Sequence, residues 1–143
     1  MIDLIIDKSA KLNFDVKTYD IDAAGHVNNV VYLKWIEDLR TKIFDNLCNL
    51  SKLYSDNYYP VVISTNIQYK NQIKLFDKPA GTIKITDYKY GIFTLEINIL
   101  LYDKLSAFAE QKCIILDLMN SQMIRGKKIH HLITANNKVN VKI

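Results

Sequence analysis

One change of period governs what this chain can become. Between Asn29 and about Leu53 the apolar residues Tyr32, Ile36, Leu39, Ile43, Leu47 and Leu50 recur at steps of three and four. They form one buried stripe on a helix of about six turns, roughly 35 Å long. Leu33, Trp35 and Phe44 widen that stripe. Beyond the helix the period falls to two: Val61, Ile63, Thr65, Ile67 and Tyr69 alternate with Ser64, Asn66, Gln68 and Lys70, the pattern of a half-buried strand. A helix with one apolar face needs a sheet to cover it, so the expectation is an α+β domain in which a sheet wraps one helix.

The other elements follow from the same reading. Leu12, Phe14 and Val16 predict a short strand from Leu12 to about Lys17, ahead of the helix. The turn signal FDKPAG at residues 76–81 precedes a strand that Ile83 and Ile85 begin and that ends near Tyr90. Gly91 breaks the chain before the clearest alternation, Phe93, Leu95, Ile97, Ile99 and Leu101, and a last long strand spans about Ser106 to Leu118. Short turns between successive strands imply an antiparallel meander. Residues 122–132 read as a short additional strand, and 136–143 as a polar tail that frays.

At 143 residues, with no repeats and only Pro60 and Pro79 as prolines, the whole of 1–143 reads as a single domain. No apolar run approaches the roughly 20 residues of a membrane span. The N-terminal segment carries Asp3 and Asp7 and lacks a basic leader with a cleavage site, so the expected location is the cytoplasm. Cys48 and Cys113 have no CxxC spacing and read as buried thiols. The net charge of +4 is spread over scattered lysines, with Arg40 and Arg125 the only arginines, a pattern that argues against nucleic acid as a partner.

Between the first strand and the helix lies an acidic turn, Asp20, Asp22, Gly25 and His26, running into Asn28 and Asn29. A carboxylate and an imidazole held there face unpaired backbone N–H groups and the positive end of the helix dipole. Calcium does not fit, because an EF-hand loop begun at Asp20 would have Val31 where its bidentate Glu must stand. A phosphoryl-transfer aspartate would follow a buried parallel strand, and nothing downstream builds βαβ units. Zinc lacks ligands at workable spacing, since the residue four beyond His26 is Val30. No metal site is expected.

The run D-x-D-x-x-G-H-V-N-N-x-x-Y-x-x-W-x-E, from Asp20 to Glu37, resembles the active-site segment of hotdog-fold thioesterases of the 4-hydroxybenzoyl-CoA thioesterase family. It is also similar to the D-x-N-x-H-V-N-N segment of acyl-ACP thioesterases. The resemblance implies a hotdog fold, with the helix inside a curved antiparallel sheet and subunits joined edge to edge. It further implies a homodimer or a tetramer of dimers, an acyl-CoA or acyl-ACP substrate, and no cofactor. Asp22 matches the family's catalytic aspartate, Gly25 its turn glycine, Asn29 the helix N-terminal amide that polarises the thioester carbonyl, and Tyr32 its helix tyrosine. Two positions depart from the pattern: Ala24 stands where acyl-ACP thioesterases carry a catalytic asparagine, and Asn29 where some bacterial relatives have histidine.

Thioester hydrolysis needs an attacking water or carboxylate and a group that polarises the carbonyl. Asp22 supplies the first, as nucleophile or as base, and the helix N-terminal amides the second. His26 is a candidate to orient water or contact substrate, against the alternative that it shapes the turn. Asn28 and Tyr32 are candidate substrate contacts, against capping for the first and packing for the second. A second function class stays open: a noncatalytic hotdog protein that binds acyl groups or serves in assembly.

Overall fold

A computed structural model describes the backbone of residues 2–141 and the side chains of 3–136. The chain forms β1 (Ser9–Asn13), α1 (Asn29–Cys48), α2 (Leu50–Ser55), β2 (Tyr58–Tyr69), β3 (Ala80–Lys89), β4 (Ile92–Leu101), β5 (Lys104–Asp117), β6 (Gln122–Ile124) and α3 (Lys127–Val141). The six strands make one antiparallel sheet in the order β1-β3-β4-β5-β2, with β6 paired to the end of β5. It curves around α1, the α+β hotdog architecture expected above.

The β3–β4 and β4–β5 hairpins close through Tyr90–Gly91 and Tyr102–Asp103, two-residue loops in which both residues have positive φ. That geometry matches the right-handed twist of paired strands. Along β4 the side chains of Phe93, Leu95, Ile97 and Ile99 are fully buried. They meet Ile36, Leu39, Ile43 and Phe44 of α1, so the helical stripe and the alternating face form one core. Helix and sheet approach closely at Gly81, where a Cβ would lie 2.7 Å from both Leu39 Cδ1 and Phe14 Cε2.

Four expectations need correction. The first strand is Ser9–Asn13, not 12–17. Phe14 leaves the ladder and stacks on Trp35 at 5.1 Å between ring centroids, so its apolar character marks a core anchor. The predicted single helix breaks at Asn49 (φ 57), whose side chain caps α2, while Asp45 Oδ1 accepts the Leu50 N–H. The stripe survives the break because Leu47, Leu50 and Leu53 are all buried.

The strands are also not a simple meander, since β2 crosses to the far edge and pairs with β5 rather than with β3. Finally, only Gln122–Ile124 of the predicted 122–132 strand is strand, and the expected fraying tail belongs to α3. Ile129 and Ile133, four apart and fully buried, hold that helix down, and Asn136 donates to the Asn46 carbonyl at 2.8 Å. Residues 142 and 143 of the tail lie outside the described residues.

Candidate active site at the start of the long helix

Backbone bonds between near neighbours build the loop that leads into α1. A bridge between Ile21 and Val27 closes it. Inside, the Asp22 N–H donates to the His26 carbonyl and the Gly25 N–H to the Asp22 carbonyl, both at 3.0 Å. Gly25, at φ 88, takes the left-handed conformation that the turn requires. Asp22 Oδ1 accepts the Ala24 N–H at 2.9 Å, an Asx turn that orients the carboxylate. His26 Nδ1 lies 4.0 Å from the same oxygen.

The loop is fastened at both ends. The Val27 N–H donates to the Ile73 carbonyl at 2.8 Å and the Asn28 N–H to the Asp20 carbonyl at 2.9 Å. Asp20 ties down the loop: it is buried, and its Oδ2 accepts the Lys17 N–H at 2.8 Å.

Asn28 is the N-cap of α1, its Oδ1 accepting the Val30 N–H at 3.0 Å. The Asn29 N–H has no acceptor among the described residues. It stands at the positive end of a 20-residue helix, a position that favours negative charge.

A cleft of about 310 Å³ opens at this point, lined in part by His26, Asn29 and Tyr32. Three of the six sequence-derived candidates therefore share one cavity. Asp22, Gly25 and Asn28 do not line it: Gly25 shapes the turn, Asn28 caps the helix, and Asp22 Oδ1 lies 4.0 Å from Nδ1 of the lining His26.

The opposite wall comes from Tyr69, Lys70, Asn71 and Gln72, the end of β2 and the connection beyond it. Sequence reasoning did not name them as site residues, since no local motif marks them and they reach the helix only through the placing of the edge strand. Tyr69 donates its hydroxyl to the Asn29 carbonyl at 3.2 Å and meets the Tyr32 ring edge-on at 5.2 Å. Asn71 is clamped by its side-chain N–H to the Leu105 carbonyl. Burial, then the nearby Tyr69, pushes the Tyr32 hydroxyl up to about 12, so at neutral pH it is a hydrogen-bond donor and not a base. Among the described residues no three His, Cys, Asp or Glu side chains converge as a metal-binding group.

The family model for the thioesterase-like superfamily matches residues 16–134, nearly the whole domain and all of this site. This chain belongs to that superfamily. Its reaction class is thioester hydrolysis. Among solved structures, YbaW from Escherichia coli, a probable thioesterase, is similar at 25% identity and a TM-score of 0.70, over 80% of this chain and 87% of that one. SAV2348 from Staphylococcus aureus, solved in complex with CoA, shares the fold at 16% identity and a TM-score of 0.80, over 92% of this chain and 84% of that one. Slr0204 from Synechocystis, a 1,4-dihydroxy-2-naphthoyl-CoA thioesterase, does so at 15% identity and a TM-score of 0.74, over 86% and 93%. No curated protein matches the chain.

Proposed function

We propose that the protein hydrolyses an acyl-CoA thioester in the cleft at the start of α1. The observation that carries this reading is the Asn29 N–H, without an acceptor among the described residues, at the helix terminus in the cleft that His26 also lines, with Asp22 Oδ1 4.0 Å from His26 Nδ1. In the proposed reaction the carbonyl oxygen sits on that amide, with the Tyr32 hydroxyl available as a further donor. Asp22 either activates a water or attacks the carbonyl carbon itself. On the water route the carboxylate takes a proton as the C–O bond forms, the C–S bond breaks, and the proton passes to the departing thiolate. On the nucleophilic route thiolate leaves first and water then cleaves the mixed anhydride. His26 orients the water, and Asn28 and Gly25 hold the loop against the helix.

CoA is favoured over a carrier protein because the SAV2348 structure holds CoA and Slr0204 acts on an acyl-CoA. We place the reaction in the cytoplasm, a reducing compartment that suits two free, buried cysteines. No described helix is long and apolar enough to cross a membrane.

The working unit in this reading is a homodimer, alone or within a tetramer. The 12-residue β2 has β5 on one side and no described strand on the other, and it exposes Ile63 and Tyr69. Long open edges of this kind recruit another strand. A second copy paired along β2 would bring its surface up to the Tyr69 wall of the cleft. Light scattering coupled to size exclusion reads this directly, and a monomer at micromolar concentration would remove the edge pairing.

A thiol-release assay over straight-chain and aromatic acyl-CoA substrates tests the chemistry. Asp22→Ala is expected to lower kcat/KM by about 10²–10⁴-fold, the range for removing a general base. Undiminished turnover would overturn Asp22's role. Acyl-CoA binding without turnover on any substrate would move the protein to the noncatalytic class.

A further inference from the structure

A second cavity lies away from the cleft just described. It encloses about 530 Å³ at the opposite end of α1, between the last turn of that helix, α2 and α3. Twenty residues of helix separate it from Asn29, about 30 Å along the axis.

The floor is apolar, made largely by Cys48, Leu53 and Leu132. Burial raises the Cys48 thiol to about 12, so it stays a neutral, unreactive surface. Lys52, Lys127, Lys128 and His131 stand around the rim, with Asp56 the one acidic residue among the lining groups. Among the described residues none of those three lysines has a carboxylate within ion-pair distance. Lys128 acts on Asp117 from beyond that distance, helping to keep its carboxyl charged. Three exposed lysines thus surround an apolar hollow of a size that takes a small organic ligand.

We propose that this cavity is a second ligand site and that it takes an aliphatic carboxylate, with the anionic end among Lys52, Lys127 and Lys128 and the tail against Leu53, Leu132 and Cys48. Charge complementarity selects the anion, and the leucine and thiol surface selects the tail. Lysine suits a single carboxylate head as a compact point charge with rotatable donors. An aliphatic carboxylate is also what hydrolysis of an acyl thioester releases, which would make this a place where product is sensed. That link alone rests on the reading of the cleft, and the binding is measured without turnover.

The test titrates sodium dodecanoate, below its micelle concentration, into the full chain, by calorimetry and by amide shifts in a ¹H–¹⁵N spectrum. Saturable binding with shifts centred on Lys52, Lys127 and Leu132 is expected. The triple substitution Lys52→Ala, Lys127→Ala, Lys128→Ala, confined to exposed side chains, should weaken it by about tenfold or more, as loss of charge-assisted hydrogen bonds implies. Dodecan-1-ol should bind about tenfold more weakly than dodecanoate by the same argument. Leu132→Trp, which fills the hollow, should abolish binding and leave acyl-CoA hydrolysis in the α1 cleft unchanged. Three results would each overturn the proposal: shifts confined to the Asn29 and Tyr69 cleft, equal affinity in the triple variant, or equal affinity for the alcohol.

Discussion

Replacing Gly81 by alanine tests how α1 is seated on the sheet. The added Cβ would lie 2.7 Å from Leu39 Cδ1 and from Phe14 Cε2, and 3.2 Å from Ile99 Cδ1. Carbon atoms prefer about 3.5–4.0 Å, so the first two contacts are too short by about 0.8 Å or more. Neither neighbour has room to retreat: Leu39 is 0% exposed, and Phe14, 8% exposed, is stacked on Trp35. Gly81 does not sit at positive φ, so the cost is steric and not conformational.

Overpacking of a closed core costs about 1–3 kcal/mol, and two blocked neighbours place this case at the upper end, about 2–3 kcal/mol. At about 3–4 °C per kcal/mol for a domain of this size, Tm should fall by about 6–12 °C. Urea unfolding should show a lower midpoint with the m-value unchanged. Leu39→Ala alone is expected to cost about 2–5 kcal/mol. Combined with Gly81→Ala it should cost less than the sum, because the new methyl occupies space the leucine gave up. Gly25→Ala is the contrasting control: nothing lies within 4 Å of its Cβ, but φ is +88, so about 1–2 kcal/mol of backbone strain is expected, with no coupling to Leu39. Stability within about 0.5 kcal/mol of the parent for Gly81→Ala, or simple additivity with Leu39→Ala, would refute this account of the helix–sheet contact.

Asn28→Ala should cost about 1 kcal/mol as loss of an N-cap; an unchanged unfolding midpoint would show that the cap bond to Val30 does not stabilise α1. Gln111→Leu should cost about 1–3 kcal/mol, since it removes the 3.0 Å acceptor of Arg40 Nη1 and the 3.1 Å donor to Thr65 Oγ1 inside the sheet–helix layer; calorimetric stability equal to the parent would contradict this. The Asn120 side-chain amide, aided by the Asn120 and Met119 N–H groups and by Lys128, holds the Asp117 carboxyl below its usual value. A depressed folded-state pKa gives stability that is present above the unfolded pKa, about 3.9, and is lost as pH falls through the lower folded value. Asp117→Asn should therefore flatten part of the acid limb of a stability–pH curve, and an acid limb identical to the parent's would count against it.

Much of the site was legible because its bonds are local. The Asx turn at Asp22, the turn at Gly25 and the cap at Asn28 each join residues no more than four apart, so neighbouring residue types encode them. The same holds for the stripe of α1 and the alternation of β4, where period reports which face is buried. Periodicity misled where an apolar residue served another contact, as at Phe14, and in α3, where among the described side chains only Ile129 and Ile133 are fully buried.

What the sequence by itself determined is thus the kind of elements, the α+β class and the loop that delivers Asp22, His26 and Asn29 to one helix end. Tertiary structure alone decided that β2 lies beside β5, which sets Tyr69 against Tyr32 and builds the second wall of the cleft. It alone docked α3 and so closed the cavity around Leu132 and Lys52. Those contacts join residues dozens of positions apart, where the gain comes from burial shared across the whole core and no short stretch of chain carries the signal.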